Sequence, residues 1–254
     1  MHLTFESRQL RVSPSAVRLK HLIRGWIRAR LFQGRPFVDE VFRPELVYAQ
    51  LRRNGISIEH AIDVGANTGQ WAQLFLAHYP QASLLSVEAN PHNLPELKKV
   101  NPHCLQACLA AHPGELRTFY LPNPAVEPVN TGASLYRELQ PGYDDPVPLI
   151  LETNTLDRIG TGFDLIKLDV QGAELDVLRG GVEAVRSARI IMVEVSLAQY
   201  NDGAPLSAEV IAYLHERGFF LLAINEILFR HGRPIQLDLC FACSDLHRLA
   251  ALSS

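Results

Sequence analysis

The stretch Ala61-Ile62-Asp63-Val64-Gly65-Ala66-Asn67-Thr68-Gly69-Gln70 decides the fold. An apolar run carries an acid near its end, a glycine turn follows, and a helix-competent segment begins at once. About one strand–helix unit later the chain reads Ser86-Val87-Glu88-Ala89-Asn90, a second run that ends in an acid. This order predicts strand, turn, helix and strand, the framework of a nucleotide pocket. Glycine permits positive φ and lets a ligand approach the backbone closely. The helix that follows offers free N–H groups at its first turn. An acid at the second strand's end can accept hydrogen bonds from both ribose hydroxyls.

The glycine spacing narrows the nucleotide. Gly65-x-x-x-Gly69 is not the three-glycine dinucleotide fingerprint, and no Gly-Lys-Ser/Thr closes it into a phosphate loop. Asp63 stands two residues before the first glycine. A carboxylate there suits a ligand bearing an ammonium group and disfavours a pyrophosphate. S-adenosylmethionine has that character: an amino acid, a sulfonium, a ribose and an adenine. A tight turn without a ligand is the plain alternative, which Asp63 and Glu88 in register argue against.

Strand-like and helix-like runs alternate from His60 onward. Strands are expected at residues 61–64, 83–88, 105–110, 165–169, 190–195, 218–224 and 237–242, with helices at 68–78, 92–100, 174–185 and 208–217. A hairpin is expected through Arg230-His231-Gly232-Arg233. Such alternation argues for a mostly parallel sheet with helices on both faces. The segment from Leu121 to Pro148 is rich in Pro and Gly and reads either as a lid or binding loop or as a surface insertion.

A second signature is Phe163-Asp164-Leu165-Ile166-Lys167-Leu168-Asp169-Val170-Gln171-Gly172-Ala173-Glu174, followed by Val177-Leu178-Arg179-Gly180. Together with the first motif, with Thr155-Leu156-Asp157 and with Val193-Glu194-Val195, it resembles the FkbM family of S-adenosylmethionine-dependent O-methyltransferases. The resemblance covers roughly residues 58 to 245. It implies a Rossmann-like class I methyltransferase fold: α/β, with a mostly parallel seven-stranded sheet whose last strand is antiparallel; the chain's length adds an N-terminal helical extension. Two regions are expected, a basic extension at 1–57 and a methyltransferase domain at 58–254. The chain departs from the family pattern at Gln171, where an acid is usual. Asn130-Thr131-Gly132-Ala133-Ser134 also resembles a polar stretch of the family, read as an acceptor contact or a plain turn.

Roles follow for the strand-end residues. Ligands of open α/β sheets bind at the carboxyl ends of strands, which brings Asp63, Glu88, Asp169 and Glu194 to one edge. Asp63 and the backbone of Gly65, Ala66, Asn67, Gly69 and Gln70 would hold the methionine part. Glu88 would bind the ribose, Ala89 and Asn90 the adenosine, and Cys108 or Leu109 the adenine. Asp169 would face the reacting centre. A hydroxyl acceptor must lose a proton, a step where a general base contributes roughly 10²–10⁴-fold. Asp169 and Glu174 are the candidate bases; Glu174 reads equally as a helix cap. His92, His103 and His112 read as surface residues or bases. Asp169 and Glu194 could also supply oxygens to a divalent metal, which stays open.

Composition bounds the rest. The chain has 254 residues and 47% hydrophobic residues, enough for one large α/β domain. With no apolar run of membrane-spanning length and no leader pattern, the expected location is cytoplasmic. Cys104, Cys108, Cys240 and Cys243 sit in apolar strand-like runs and read as core thiols rather than zinc ligands. Residues 1–36 hold eight basic residues against Glu6, a net +7, although the whole chain carries −3. A helix is expected near residues 16–32. Its apolar stripe packs on protein, here or in a homo-oligomer, or lies on an anionic membrane. Nucleic acid is not expected as a partner, because no stacking aromatics accompany the basic residues. Two functional alternatives stay open: a methyltransferase-like module that binds without turnover, and an NAD-dependent oxidoreductase.

Overall fold

The computed structural model describes residues 40–246, apart from residues 43, 54, 124–131, 141, 142 and 144. The basic helix expected near residues 16–32 lies outside the described residues. The chain begins with β1 (Glu40–Phe42), α1 (Pro44–Arg53), β2 (His60–Val64), α2 (Gln70–His78), β3 (Ser83–Glu88) and α3 (Leu94–Val100). Next come β4 (Cys104–Gln106), β5 (Cys108–Leu109), β6 (Leu116–Leu121), β7 (Val147–Asn154), α4 (Leu156–Ile159) and β8 (Leu165–Leu168). The last part holds α5 (Glu174–Arg179), α6 (Val182–Ser187), β9 (Ile190–Ser196), α7 (Ser207–Glu216), β10 (Phe219–Arg230) and β11 (Arg233–Cys243).

The main sheet has eight strands in the order β1-β10-β11-β9-β8-β2-β3-β4. Strands β2, β3, β4, β8 and β9 pair in parallel, and β11 runs antiparallel to both β9 and β10. Without β1 this is the expected seven-stranded α/β sheet with its last strand reversed. The eighth strand is β1, which pairs antiparallel with β10 at the edge. The expected 1–57 extension therefore divides. Its β1 joins the sheet, and Val47, Tyr48 and Leu51 of α1 enter the core.

Period-two alternation sorts each buried strand between two cores. Ile62, Val64, Ile166, Leu168, Ile191 and Val193 face α5, α6 and α7. Ala61, Leu165, Ile190 and Met192 face α1 and α2. The β10–β11 hairpin turns through His231 (φ 50°) and Gly232 (φ 73°). Two successive positive φ values suit a turn of type I′, which matches the twist of the strands it joins.

Two expectations are corrected. The strand expected at 105–110 splits: β4 stays in the main sheet, and β5 crosses to a second, three-stranded sheet of order β5-β7-β6. The helix expected at 174–185 breaks at Gly180-Gly181. There a Cβ on Gly180 would lie 2.1 Å from the Ala110 carbonyl oxygen, and one on Gly181 would lie 2.6 Å from Leu156 Cδ2. The chain must approach both neighbours too closely for a side chain.

Candidate active site

The glycine turn after β2 is a close contact between two strand ends. Gly65 has φ 81°, and a Cβ there would lie 1.8 Å from the carbonyl oxygen of Asp169. Its amide and that of Ala66 both donate to the Val87 carbonyl, at 2.9 and 3.0 Å. Asn67 adopts φ 50° and its amide donates to Glu88 Oε2 at 2.7 Å. The amides of residues 65–67 are thus engaged within the protein, where the sequence suggested they would face a ligand. Gly69 caps α2 with φ 91°, and α2 opens at Gln70, which is exposed.

Glu88 joins the turn to the next loop. Its Oε1 accepts from the Asn90 amide at 2.7 Å while Oε2 holds Asn67. Burial raises its pKa, and the amides of Asn90 and Asn67 oppose the rise. Asn90 is fully buried; its Oδ1 accepts from the His92 amide at 3.1 Å. Its Nδ2 has no partner among the described residues, and neither has Asp63 Oδ2. Buried polar atoms are nearly always paired, so an unpaired acceptor and donor beside one turn mark a place for a polar ligand.

On the α1 face, the alternation that places Ala61 and Leu165 inward also places Asp63 and Lys167 there, and the two are register partners. Lys167 Nζ lies 3.2 Å from Asp169 Oδ2. Glu194 and Asp238 are register partners on β9 and β11. Burial alone would lower the Lys167 pKa, but the carboxylates of Asp169, Asp238, Glu194 and Asp63 hold it above its ordinary value. Burial pushes the Asp63 carboxyl up to about 7; Lys167 opposes the rise, and Asp169 and Glu88 add to it. Burial likewise raises Glu194, with Asp169 adding. Asp63 and Lys167 form a buried floor, while Asp169, Glu194 and Asp238 are half-buried. Four acids stand around one ammonium, so a cationic ligand would favour their ionised forms. Lys167 and Asp238 were not singled out from the sequence.

Glu174 is almost wholly buried, at 4% exposure. Its Oε1 accepts from the Val170 amide at 3.0 Å and its Oε2 from the Gly172 amide at 3.0 Å. Burial pushes it up to about 7. The carbonyl of Gln171 accepts from Ser134 Oγ and from Asn201 Nδ2, each at 2.7 Å. The described part of the Pro-rich segment is a strap across this loop. Ser134 exchanges backbone bonds with Tyr120, and Leu139 donates to the Tyr200 carbonyl. Asn130 and Thr131 of the polar stretch lie outside the described residues.

Cys108 and Ala89 share one apolar cluster with Val170, whereas Leu109 points into the main core. Burial pushes the Cys108 thiol up to about 11. All four cysteines are free, and His92, His103 and His112 are exposed. Among the described residues no three or more His, Cys, Asp and Glu side chains are grouped to hold a metal.

A family model described as the methyltransferase FkbM domain matches residues 63–221, from Asp63 through both motifs to the start of β10. The chain belongs to the FkbM methyltransferase family. The 2-O-methyltransferase NoeI of Sinorhizobium fredii (strain NBRC 101917 / NGR234) is 30% identical over 171 residues, 58% of this chain and 68% of that protein. Among solved structures, an S-adenosylmethionine-dependent methyltransferase from Clostridium acetobutylicum ATCC 824 aligns with TM-score 0.47 and 9% identity. It covers 89% of this chain and 98% of that one. Magnesium protoporphyrin IX methyltransferase (ChlM) from Synechocystis PCC 6803 aligns with TM-score 0.45 and 13% identity, over 79% and 77%. Its FkbM domain makes the protein a methyltransferase, and its own strand order and parallel pairing give it the Rossmann-like α/β fold. No described helix is long and apolar enough to cross a membrane.

Proposed function

We propose that this FkbM methyltransferase moves the methyl group of S-adenosylmethionine to a hydroxyl of a sugar, glycolipid, polyketide or similar metabolite. The observation that carries the reading is the unpaired Asp63 Oδ2 at a glycine turn, within a cluster where four acids surround one ammonium. The oxygen acceptor is supported by the similarity to a 2-O-methyltransferase.

Asp63 would hold the donor's ammonium, and Gly65, Ala66, Asn67, Gly69 and Gln70 would shape the wall beside it. Glu88 accepts from the amides of Asn67 and Asn90 and from the Asn93 side chain, and its remaining lone pair would accept from a ribose hydroxyl. Asn90 Nδ2 would donate to the nucleoside, and Ala89 and Cys108 would provide an apolar edge for the adenine. When bound, the donor supplies an activated methyl on a sulfonium, so that a C–S bond breaks as a C–O bond forms. The protein's part is alignment, because proximity and orientation carry much of such a barrier. Asp169 is half-buried, beside the turn, and would take the acceptor's proton. Glu174 is assigned to supporting the loop 170–172, because its oxygens are committed to backbone amides.

The test is incubation of the full chain with methyl-labelled donor and a panel of sugars and polyhydroxylated metabolites. Label in an ether product is expected. Transfer to nitrogen or carbon acceptors alone, from a protein that binds the donor, would overturn the oxygen assignment.

A further inference from the structure

Gln171 occupies the position where the family pattern usually has an acid, and the structure gives that departure a place. Its Nε2 donates to Asp169 Oδ1 at 2.8 Å and to Glu194 Oε1 at 2.6 Å. The opposite amide orientation would bring three oxygens together, so chemistry dictates which end faces the acids. The aim of this side chain is set from behind. Residue 171 adopts φ 55°, and its carbonyl is gripped by Ser134 and Asn201.

The surroundings show what the amide accomplishes. Asp169 and Glu194 converge on one nitrogen. Around them stand Lys167 on β8, Asp63 on β2, Glu88 on β3, Glu174 on α5, Asp238 on β11, and Tyr200 and Glu138 beyond the sheet edge. Neighbouring carboxylates cannot all stay ionised unless a donor or cation stands between them. An amide supplies two N–H donors without charge. An ionised acid at 171 would supply no donor and would add a charge.

We propose that Gln171 is a positioning residue: its amide ties Asp169 to Glu194 and meets, without charge, the need a divalent cation would have to meet if residue 171 were an acid. The inference rests on the proposed function, in which Asp169 borders the methyl donor. A tied Asp169 keeps one orientation toward that donor.

The test compares the full-length wild type with Gln171→Glu and Gln171→Met, in EDTA and in millimolar magnesium chloride. Two readouts are taken: calorimetric affinity for S-adenosylhomocysteine and melting temperature. Wild type should bind equally in both buffers, within about twofold. Loss of hydrogen bonds to charged groups should weaken Gln171→Met by about tenfold in both. Gln171→Glu should be weakened about tenfold in EDTA. Magnesium should return it close to the wild-type affinity and raise its melting temperature more than that of wild type. The Gln171→Glu variant binding as wild type in EDTA would overturn the proposal, as would a deficit that magnesium leaves untouched. If wild type binds no S-adenosylhomocysteine, the donor assignment fails, and the magnesium-dependent melting of Gln171→Glu still decides for or against the tie. Should Gln171→Met not fold, Gln171→Asn serves in its place: it tolerates positive φ but is one methylene too short to span both acids.

Discussion

Gly65 and Asp169 meet backbone to backbone, with space for a hydrogen and nothing larger: a Cβ on Gly65 would lie 1.8 Å from the Asp169 carbonyl oxygen. The ends of β2 and β8 are therefore one rigid contact, which in the proposed function joins the donor wall to the residue beside the reacting centre. Gly65→Ala must part the ends of β2 and β8 and also place alanine at φ 81°. It should destabilise the protein by about 2–3 kcal/mol and weaken S-adenosylhomocysteine binding more than tenfold. Gly55→Ala is the control. Gly55 has φ 69° but nothing within 4 Å of its added Cβ. That variant should show the backbone cost of about 1–2 kcal/mol and bind normally in calorimetry.

If Asp63 holds the donor's ammonium as proposed, donor binding should depend on pH. Its carboxyl titrates at about 7 in the folded protein, against an ordinary 3.8. A cationic ligand favours the ionised form, so affinity for S-adenosylmethionine should rise as pH increases through 7. Binding at pH 7 should release protons, seen as a buffer-dependent heat. Stability runs the other way. Between about pH 4 and 7 the folded state binds more protons than the unfolded state, so stability falls as pH rises through that window. Asp63→Asn should flatten part of this slope, raise the melting temperature at pH 8 by about 2–4 °C, and abolish donor binding. Affinity unchanged from pH 6 to 8 would remove Asp63 from the pocket.

Two carboxylates of the second motif should separate stability from turnover. Glu174→Gln removes a charged acceptor from the loop amides of Val170 and Gly172. It should cost about 1–3 kcal/mol in denaturant unfolding and leave kcat within a few-fold at a temperature where the variant is folded. Asp169→Asn should remain folded, because Asp63, Glu194 and Asp238 still surround Lys167. Its kcat should fall by about 10²–10⁴-fold. It should lose more affinity for the cationic donor than for the neutral S-adenosylhomocysteine.

Much of this arrangement was legible in the sequence. The alternation of apolar runs with helical spacing placed nearly every strand of the main sheet, and Arg230-His231-Gly232-Arg233 marked the hairpin. The second sheet was not legible: β6 and β7 are joined across a segment of more than twenty residues, and β7 begins Val147-Pro148. Pairing between such distant strands leaves no local pattern. The helix break was written in Gly180-Gly181, but the reason lies in Ala110 and Leu156, distant in sequence. Lys167 did have a signal: a lysine within Leu165-Ile166-Lys167-Leu168, a strand buried throughout. Charged residues are almost never fully buried unless paired, so its carboxylate partners could have been sought. Asp238, within the run from Leu237 to Ala242, carries the same mark.

The strap gives a prediction that the sequence alone would not. Ser134 is fully buried, and its Oγ donates to the Gln171 carbonyl. Ser134→Ala leaves Asn201 as the remaining side-chain donor to that carbonyl. It should cost about 1 kcal/mol and raise amide exchange in residues 169–173, read by hydrogen exchange, without altering exchange in β2. Equal protection of that loop in both proteins would mean that the strap does not hold it.

The most direct test of the central claim is calorimetric titration of the full-length protein with S-adenosylmethionine and S-adenosylhomocysteine, with NAD as comparison and Asp63→Ala as control. Both adenosyl ligands should bind the wild type, NAD should not, and Asp63→Ala should bind none of them while staying folded. Unchanged affinity in Asp63→Ala, or a folded wild type that binds neither adenosyl ligand, would contradict the assignment of the strand-end cluster as the methyl-donor site.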